Sequence, residues 1–185
     1  MTSREVLWQE AVDQHGYVSF AGAKELGLTR ASIDMLLARG RLHRVASGVY
    51  RVPEVPATRF DPYMLAVLWT GADEACLSHD TALDAYEVCD INPDRIHLTV
   101  HPGRRIRRAH GEGYVVHHEA LSPDQIGWWE RVPTVTLPTA IDQCIRSGVP
   151  TYLLRQAITA GAGQGVLRPE VRARLKNDLE ARDDA

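Results

Sequence analysis

What this 185-residue chain has little of narrows its class first. Its three cysteines, Cys76, Cys89 and Cys144, are odd in number, and no two of them show the tight two-residue spacing of a zinc or redox pair. They read as reduced thiols packed as small hydrophobes, which excludes a disulfide scaffold and a cysteine-held metal. No stretch approaches the roughly 18 apolar residues of a membrane span, and the charged opening MTSREVLWQEAVDQHG holds no signal-peptide core. A cytoplasmic protein with no membrane partner is therefore expected. Internal repeats and low-complexity segments are also missing. What is present, 44% hydrophobic and 24% charged residues, is the composition of an ordinary globular protein.

The net charge of -3 hides an asymmetry. Residues 1–53 carry seven basic side chains against five acidic ones, a net +2, which leaves -5 for residues 54–185. Five of those seven basic groups fall between Arg30 and Arg51. A locally basic surface on an acidic chain suits a nucleic-acid module joined to a part with a different partner.

Periodicity gives the front of the chain three short helices. Leu7, Trp8, Ala11 and Val12 recur at helical spacing, and Gly16 follows as a stop. Tyr17-Val18-Ser19 is an extended link, with Ser19 placed to cap a helix over FAGAKEL that ends at Gly27. Thr29 caps a third helix, RASIDMLLAR, ended by Gly40. The alternating runs RLHRV and GVYRV around ASG then read as a β-hairpin, with Leu42 and Val45 on one side. Three helices and a hairpin make a winged helix-turn-helix over residues 1–53. The proline-rich segment 54–62 reads as a linker. Residues 63–185 read as a small α+β domain, so the fold class is mixed α+β. In that domain PYMLAVLWTG and SHDTALDAYEV are predicted helices, the latter capped by Ser78. RIHLTVH and GYVVHHE are strands around a basic turn. A helix capped by Thr139 and two further helices follow, ending in a charged tail expected to fray.

On a helical wheel Ile33, Leu36 and Leu37 fall together and face the core. The opposite face collects Ala31, Asp34, Met35, Ala38 and Arg39, with Ser32 at its margin and Arg30 at the N-terminal end. Small and polar residues there let a helix enter a major groove with its first turn near base edges. Asp34 is expected to pair with Arg30 or to face water. Arg41, His43, Arg44, Ser47, Tyr50 and Arg51 crowd the hairpin as a candidate phosphate clamp. The candidate DNA-binding set is thus Thr29, Arg30, Ser32, Arg39, Arg41, His43, Arg44, Ser47, Tyr50 and Arg51.

The run YVSFAGAKELGLTRASIDMLLARGRLHRVASGVYRVP resembles the N-terminal winged helix-turn-helix of the AbiEi family of antitoxins. The family pattern G-x-L-x-R-V-x-x-G-V-Y is matched from Gly40 to Tyr50, with Gly27 and Thr29 ahead of it. A weaker likeness continues through CLSHDTALDAYEV and RVPTVTLPTAIDQCI, so that it covers most of residues 6–160. The resemblance implies an antitoxin and transcriptional autorepressor. Its front would bind double-stranded operator DNA, and its C-terminal domain would counteract a partner nucleotidyltransferase-type toxin. A stand-alone winged-helix repressor with a dimerising or sensing C-terminal domain is the alternative. Larger relatives carry a nuclease-like domain. This chain is too short for one and lacks the acidic residue followed by Glu-x-Lys that such a domain needs, so no enzymatic activity and no cofactor are expected.

Three other groups stand out. Arg104, Arg105, Arg107 and Arg108 lie on one predicted turn, where they extend a DNA footprint, meet an acidic partner or are simply solvated. Trp128 and Trp129 adjoin, so that on a strand one faces in and one out, a candidate partner surface shared with the arginines. His97 and His101 share one face of their strand, and His117, His118 and Glu119 follow on the neighbouring predicted strand. His117 opposes His118, and nothing in the sequence fixes the register, so no metal site is expected. His79 and Asp80 sit in the first turn of a helix, where Asp80 complements the dipole.

Overall fold

The computed structural model describes residues 3–184. Among them the chain is mixed α+β, with eight α-helices and two sheets. Compactness divides it into two units. The first runs through Ala75 and adds Arg104–Gly111 and Glu130–Val132. The second takes the remainder, Cys76–Gly103, Glu112–Trp129 and the chain from Pro133 onward.

The first unit opens with α1 (Ser3–Asp13), β1 (Tyr17–Ser19), α2 (Phe20–Glu25) and α3 (Arg30–Ala38). A hairpin of β2 (His43–Ala46) and β3 (Val49–Arg51) follows, then α4 (Asp61–Thr70). Both predicted caps are made: the Ser19 hydroxyl accepts from the Gly22 N–H at 2.9 Å, and the Thr29 hydroxyl accepts from the Ser32 N–H at 3.1 Å. Tyr17-Val18-Ser19 is more than a link. It pairs antiparallel with β3, giving a three-stranded sheet in the order β1-β3-β2. Leu7 and Ala11 of α1, Val18, Ile33 and Leu42 form the core of this winged helix-turn-helix with Val52 and Val55. Trp8, which shares their helical spacing, is exposed.

In the first unit the expected linker is structured. The Arg51 guanidinium donates to the Val55 carbonyl at 2.9 Å and pairs with Asp61 at 3.3 Å. Asp61 also accepts from the Thr58 N–H and hydroxyl, at 2.9 and 2.7 Å. These bonds hold α4 beside β1 and β3, so compactness groups α4 with the front unit instead of starting a new domain at residue 63.

The second unit holds β4 (Cys76–Leu77), α5 (His79–Ala85), β5 (Ile96–Val100) and β6 (Tyr114–His118). A 3-10 turn at Pro123–Gln125 leads into β7 (Ile126–Trp129) and β8 (Val132–Val135), the latter from Pro133 on, and α6 (Leu137–Ser147), α7 (Thr151–Gly163) and α8 (Pro169–Asp183) complete the described chain. The sheet order is β6-β5-β4-β8-β7. Leu83, Leu137, Ile141, Leu154, Ile158 and Leu175 anchor its core. Among the described residues Cys76, Cys89 and Cys144 are in no disulfide, and Cys76 and Cys144 are buried.

Two local expectations change here. β5 and β6 run parallel, with His97 opposite Val115 and Thr99 opposite His117, so the basic segment between them is a crossover and not a hairpin turn. Its length agrees, since tight hairpins use two to five residues and a parallel return needs more than about ten. α6 starts at Leu137 behind Thr136, not behind Thr139, because Pro138 suits a first helical turn. The charged tail stays helical to Asp183, and Ala185 lies outside the described residues. No described helix is long and apolar enough to cross a membrane.

Candidate nucleic-acid interface

α3 is anchored by Ile33, which is fully buried, with Leu36 and Leu37 half-buried beside it. The rest of its surface is open: Arg30, Ala31, Asp34, Met35, Ala38 and Arg39 are all exposed. Arg30 lies 3.7 Å from Asp34 and stacks over the Phe20 ring at 5.7 Å. That arrangement neutralises Asp34 on the helix's own surface. Thr29 and Ser32 face each other with hydroxyl oxygens 2.9 Å apart, so both serve the cap.

The wing departs from simple alternation at one residue. Arg44 pairs with Tyr50 and Ala46 with Val49, which leaves Val45 as an extra residue on β2. Val45 is 43% exposed and does not share the buried side of Leu42, since residues three apart on an extended strand point to opposite faces. Gly48 closes the two-residue turn with φ +69, a conformation that favours glycine. β2 is an edge strand, and His43, Arg44 and Ser47 on it and its turn are exposed.

Two of the candidate residues on the wing are withdrawn from its surface. Tyr50 is only 5% exposed and belongs to the core. Arg51 is spent on Val55, Asp61 and the Tyr17 ring, 5.2 Å away, so its charge braces the fold. The pleat sends these neighbours to opposite faces of β3, and both faces are covered: Tyr50 packs into the core, and Arg51 lies against Val55 and Asp61. Arg41 is half-exposed and paired with Glu54 at 3.3 Å. Among the described residues, the exposed side chains of Arg39 and Arg44 hold no ion pair.

The arginine cluster is not where a sequence reading places it. Segment Arg104–Gly111 groups with the front unit, where Arg108 donates to the carbonyl of Ser47 in the wing turn, 61 residues away in sequence. Arg104 forms a two-pronged pair with Glu74, both contacts 2.9 Å. Arg105 and Arg107 are exposed and unpaired among the described residues. No local signal could have revealed this placement, because periodicity does not report which distant element a loop returns to.

In the second unit Trp128 is 72% exposed on the edge strand β7, and Trp129 is half-buried, the expected alternation. His97 and His117 meet, with His97 Nδ1 3.1 Å from His117 Nε2, and His79 stacks on His117 at 3.5 Å between ring centres. His101 is exposed beyond β5 and stands apart from this group, and His118 points to the other face. Burial, then the neighbouring imidazoles, push His79 down to about 3, while burial and His97 push His117 down to about 4. Burial lowers His97 too. All three rings are therefore neutral at neutral pH.

Residues 6–53, from α1 through the wing, match the family model described as a transcriptional regulator, AbiEi antitoxin. No curated protein matches the chain. Among solved structures it is similar to the crystal structure of the RV2827C protein from Mycobacterium tuberculosis, at 18% identity and a TM-score of 0.50. That likeness covers 96% of this chain and 75% of the other, and at this identity it concerns the fold alone.

Proposed function

We propose, from the match of residues 6–53 to the model of AbiEi antitoxin transcriptional regulators, that this protein represses its own operon and antagonises a partner toxin. It acts by binding, without chemistry of its own. α3 would enter the major groove, where Ala31 and Ala38 let the helix sit close and Arg30 and Arg39 reach base edges or flanking phosphates. Arg44 and His43 on the wing would take backbone phosphates, and Arg105 and Arg107 would extend the same clamp. The carrying observation is that, among the described residues, the exposed arginines Arg39, Arg44, Arg105 and Arg107 have no internal partner, whereas Arg51 and Arg104 are already paired. A guanidinium left free on a surface releases DNA counterions on contact; one committed to a carboxylate does not.

Toxin handling is assigned to the second unit, with Trp128 as the anchor. An exposed indole on a sheet edge has the composition and position of a protein-binding residue. Operator binding is tested by fluorescence anisotropy with duplex from the gene's own upstream region against scrambled duplex. Preference for the upstream duplex supports the reading, and equal affinity for both contradicts it. For the toxin half, Trp128→Ala should lose protection in cells co-expressing a nucleotidyltransferase toxin that the unmodified chain neutralises, while keeping operator affinity. Full protection by that variant would remove Trp128 from the account.

A further inference from the structure

We propose that His79, His97 and His117 form a three-histidine site for a divalent transition metal, Zn2+ by its preference for imidazole, with the fourth position open to water. Each offers one ring nitrogen, and these atoms lie within 4.8 Å of one another. Three separate elements supply them: the start of α5, β5 and β6. The parallel register of β5 and β6 puts His97 and His117 on one face of the sheet, which the sequence alone could not do. Their facing nitrogens, 3.1 Å apart, are close to the roughly 3.3 Å that two ligands span on a tetrahedral zinc with bonds of about 2.0–2.1 Å. In the metal-free protein a single proton bridges this pair, and a metal would replace it.

The His79 ring is held as the outer groups of a metal centre hold a ligand. Ser78, instead of capping α5, places its hydroxyl 2.9 Å from Nδ1 of His79, which leaves Nε2 as the ligand atom. Further bonds fix the backbone that carries the rings: the backbone N–H of His79 donates to Oε1 of Gln143 at 3.2 Å, and the Gln143 amide donates in turn to Glu119 at 2.8 Å. The backbone N–H of His97 donates to the Thr81 hydroxyl at 2.8 Å. His79 itself has φ +49, an uncommon conformation for a residue with a side chain, and helix initiation does not require it. His79 and His117 are stacked face to face, 14° between planes, so one of the two rings turns about its side-chain bonds for both lone pairs to meet at one metal. Asp80 adds a nearby negative charge that favours a cation.

The test uses the full chain, stripped with a chelator and titrated with Zn2+ by calorimetry and with Co2+ by visible absorption. One metal per chain is expected, with the d–d bands of a four-coordinate Co2+ site and a raised melting temperature on zinc addition. His97→Ala and His117→Ala should each weaken binding by roughly 100-fold or more, Ser78→Ala by about 10-fold, and His118→Ala, on the opposite strand face, not at all. Absence of stoichiometric binding by the unmodified chain overturns the proposal. So does binding that survives in folded His97→Ala and His117→Ala proteins. If those variants unfold, X-ray absorption of the zinc-loaded unmodified chain decides: three imidazole ligands support the site, and any other first shell refutes it.

Discussion

The two units handle their polar groups in opposite ways. On the front unit's α3 and wing, Arg39 and Arg44 stand exposed without ion pairs among the described residues. In the second unit Ser78, His79, Thr81 and Gln143 are buried, and Glu119, Gln143 and His79 are linked in one hydrogen-bonded chain. A free charge at a surface costs little and is available to a ligand that brings counter-charge. A polar group buried in a core is costly unless each donor and acceptor is matched. The first arrangement therefore suits a reversible electrostatic contact, and the second a rigid frame with fixed geometry. Within the front unit the same contrast separates Arg44 from Arg51: equal chemistry, seven residues apart, one open and one locked.

Breaking the locked set should have the largest effect on stability. Arg51→Ala leaves Asp61 without its cation in a mostly buried site and should cost about 3 kcal/mol, measured by urea unfolding. Ile33→Ala, which removes the buried anchor of α3, should cost about 2–4 kcal/mol and reduce operator binding through loss of the helix's docking. Thr29→Ala, which removes the cap, should cost about 1 kcal/mol. Arg44→Ala should sharpen the contrast from the other side. It should leave unfolding within about 0.5 kcal/mol of the unmodified protein and weaken binding to all duplexes alike. If Arg44→Ala destabilised the protein as strongly as Arg51→Ala, the distinction between open and locked arginines would fail.

The Arg51–Asp61 pair also bears on where the chain can be divided. A cut at residue 56 would separate the two partners and expose the face of α4 that carries Met64 and Trp69. A front fragment extended to Ala75 keeps the pair and should be more stable to urea than one ending at residue 56.

How much could be read beforehand followed the range of the interactions involved. The caps at Ser19 and Thr29, the inward Ile33 and the outward face of α3 depend on residues three or four apart, and sequence shows them directly. The wing hairpin was legible for the same reason, but the bulge at Val45 was not, because an extra residue is defined by pairing and not by pattern. Tyr50 and Arg51 look like clamp residues until the core beneath one and the Val55–Asp61 segment beside the other are seen. The parallel pairing of β5 with β6, the return of Arg108 to Ser47 and the approach of His79 to His117 join residues 18 to 61 positions apart. Composition and period carry no record of such pairings, so the histidine cluster could only be found in three dimensions.

The central claim, that the open arginines contact DNA, is tested most directly by the salt dependence of operator binding by the full chain. With Arg39, Arg44, Arg105 and Arg107 each neutralising one phosphate, the logarithm of affinity should fall with the logarithm of salt concentration with a slope steeper by about 3.6 than in the protein with all four changed to alanine. The account predicts that difference, with both proteins equally folded. Identical slopes for the two proteins would contradict it.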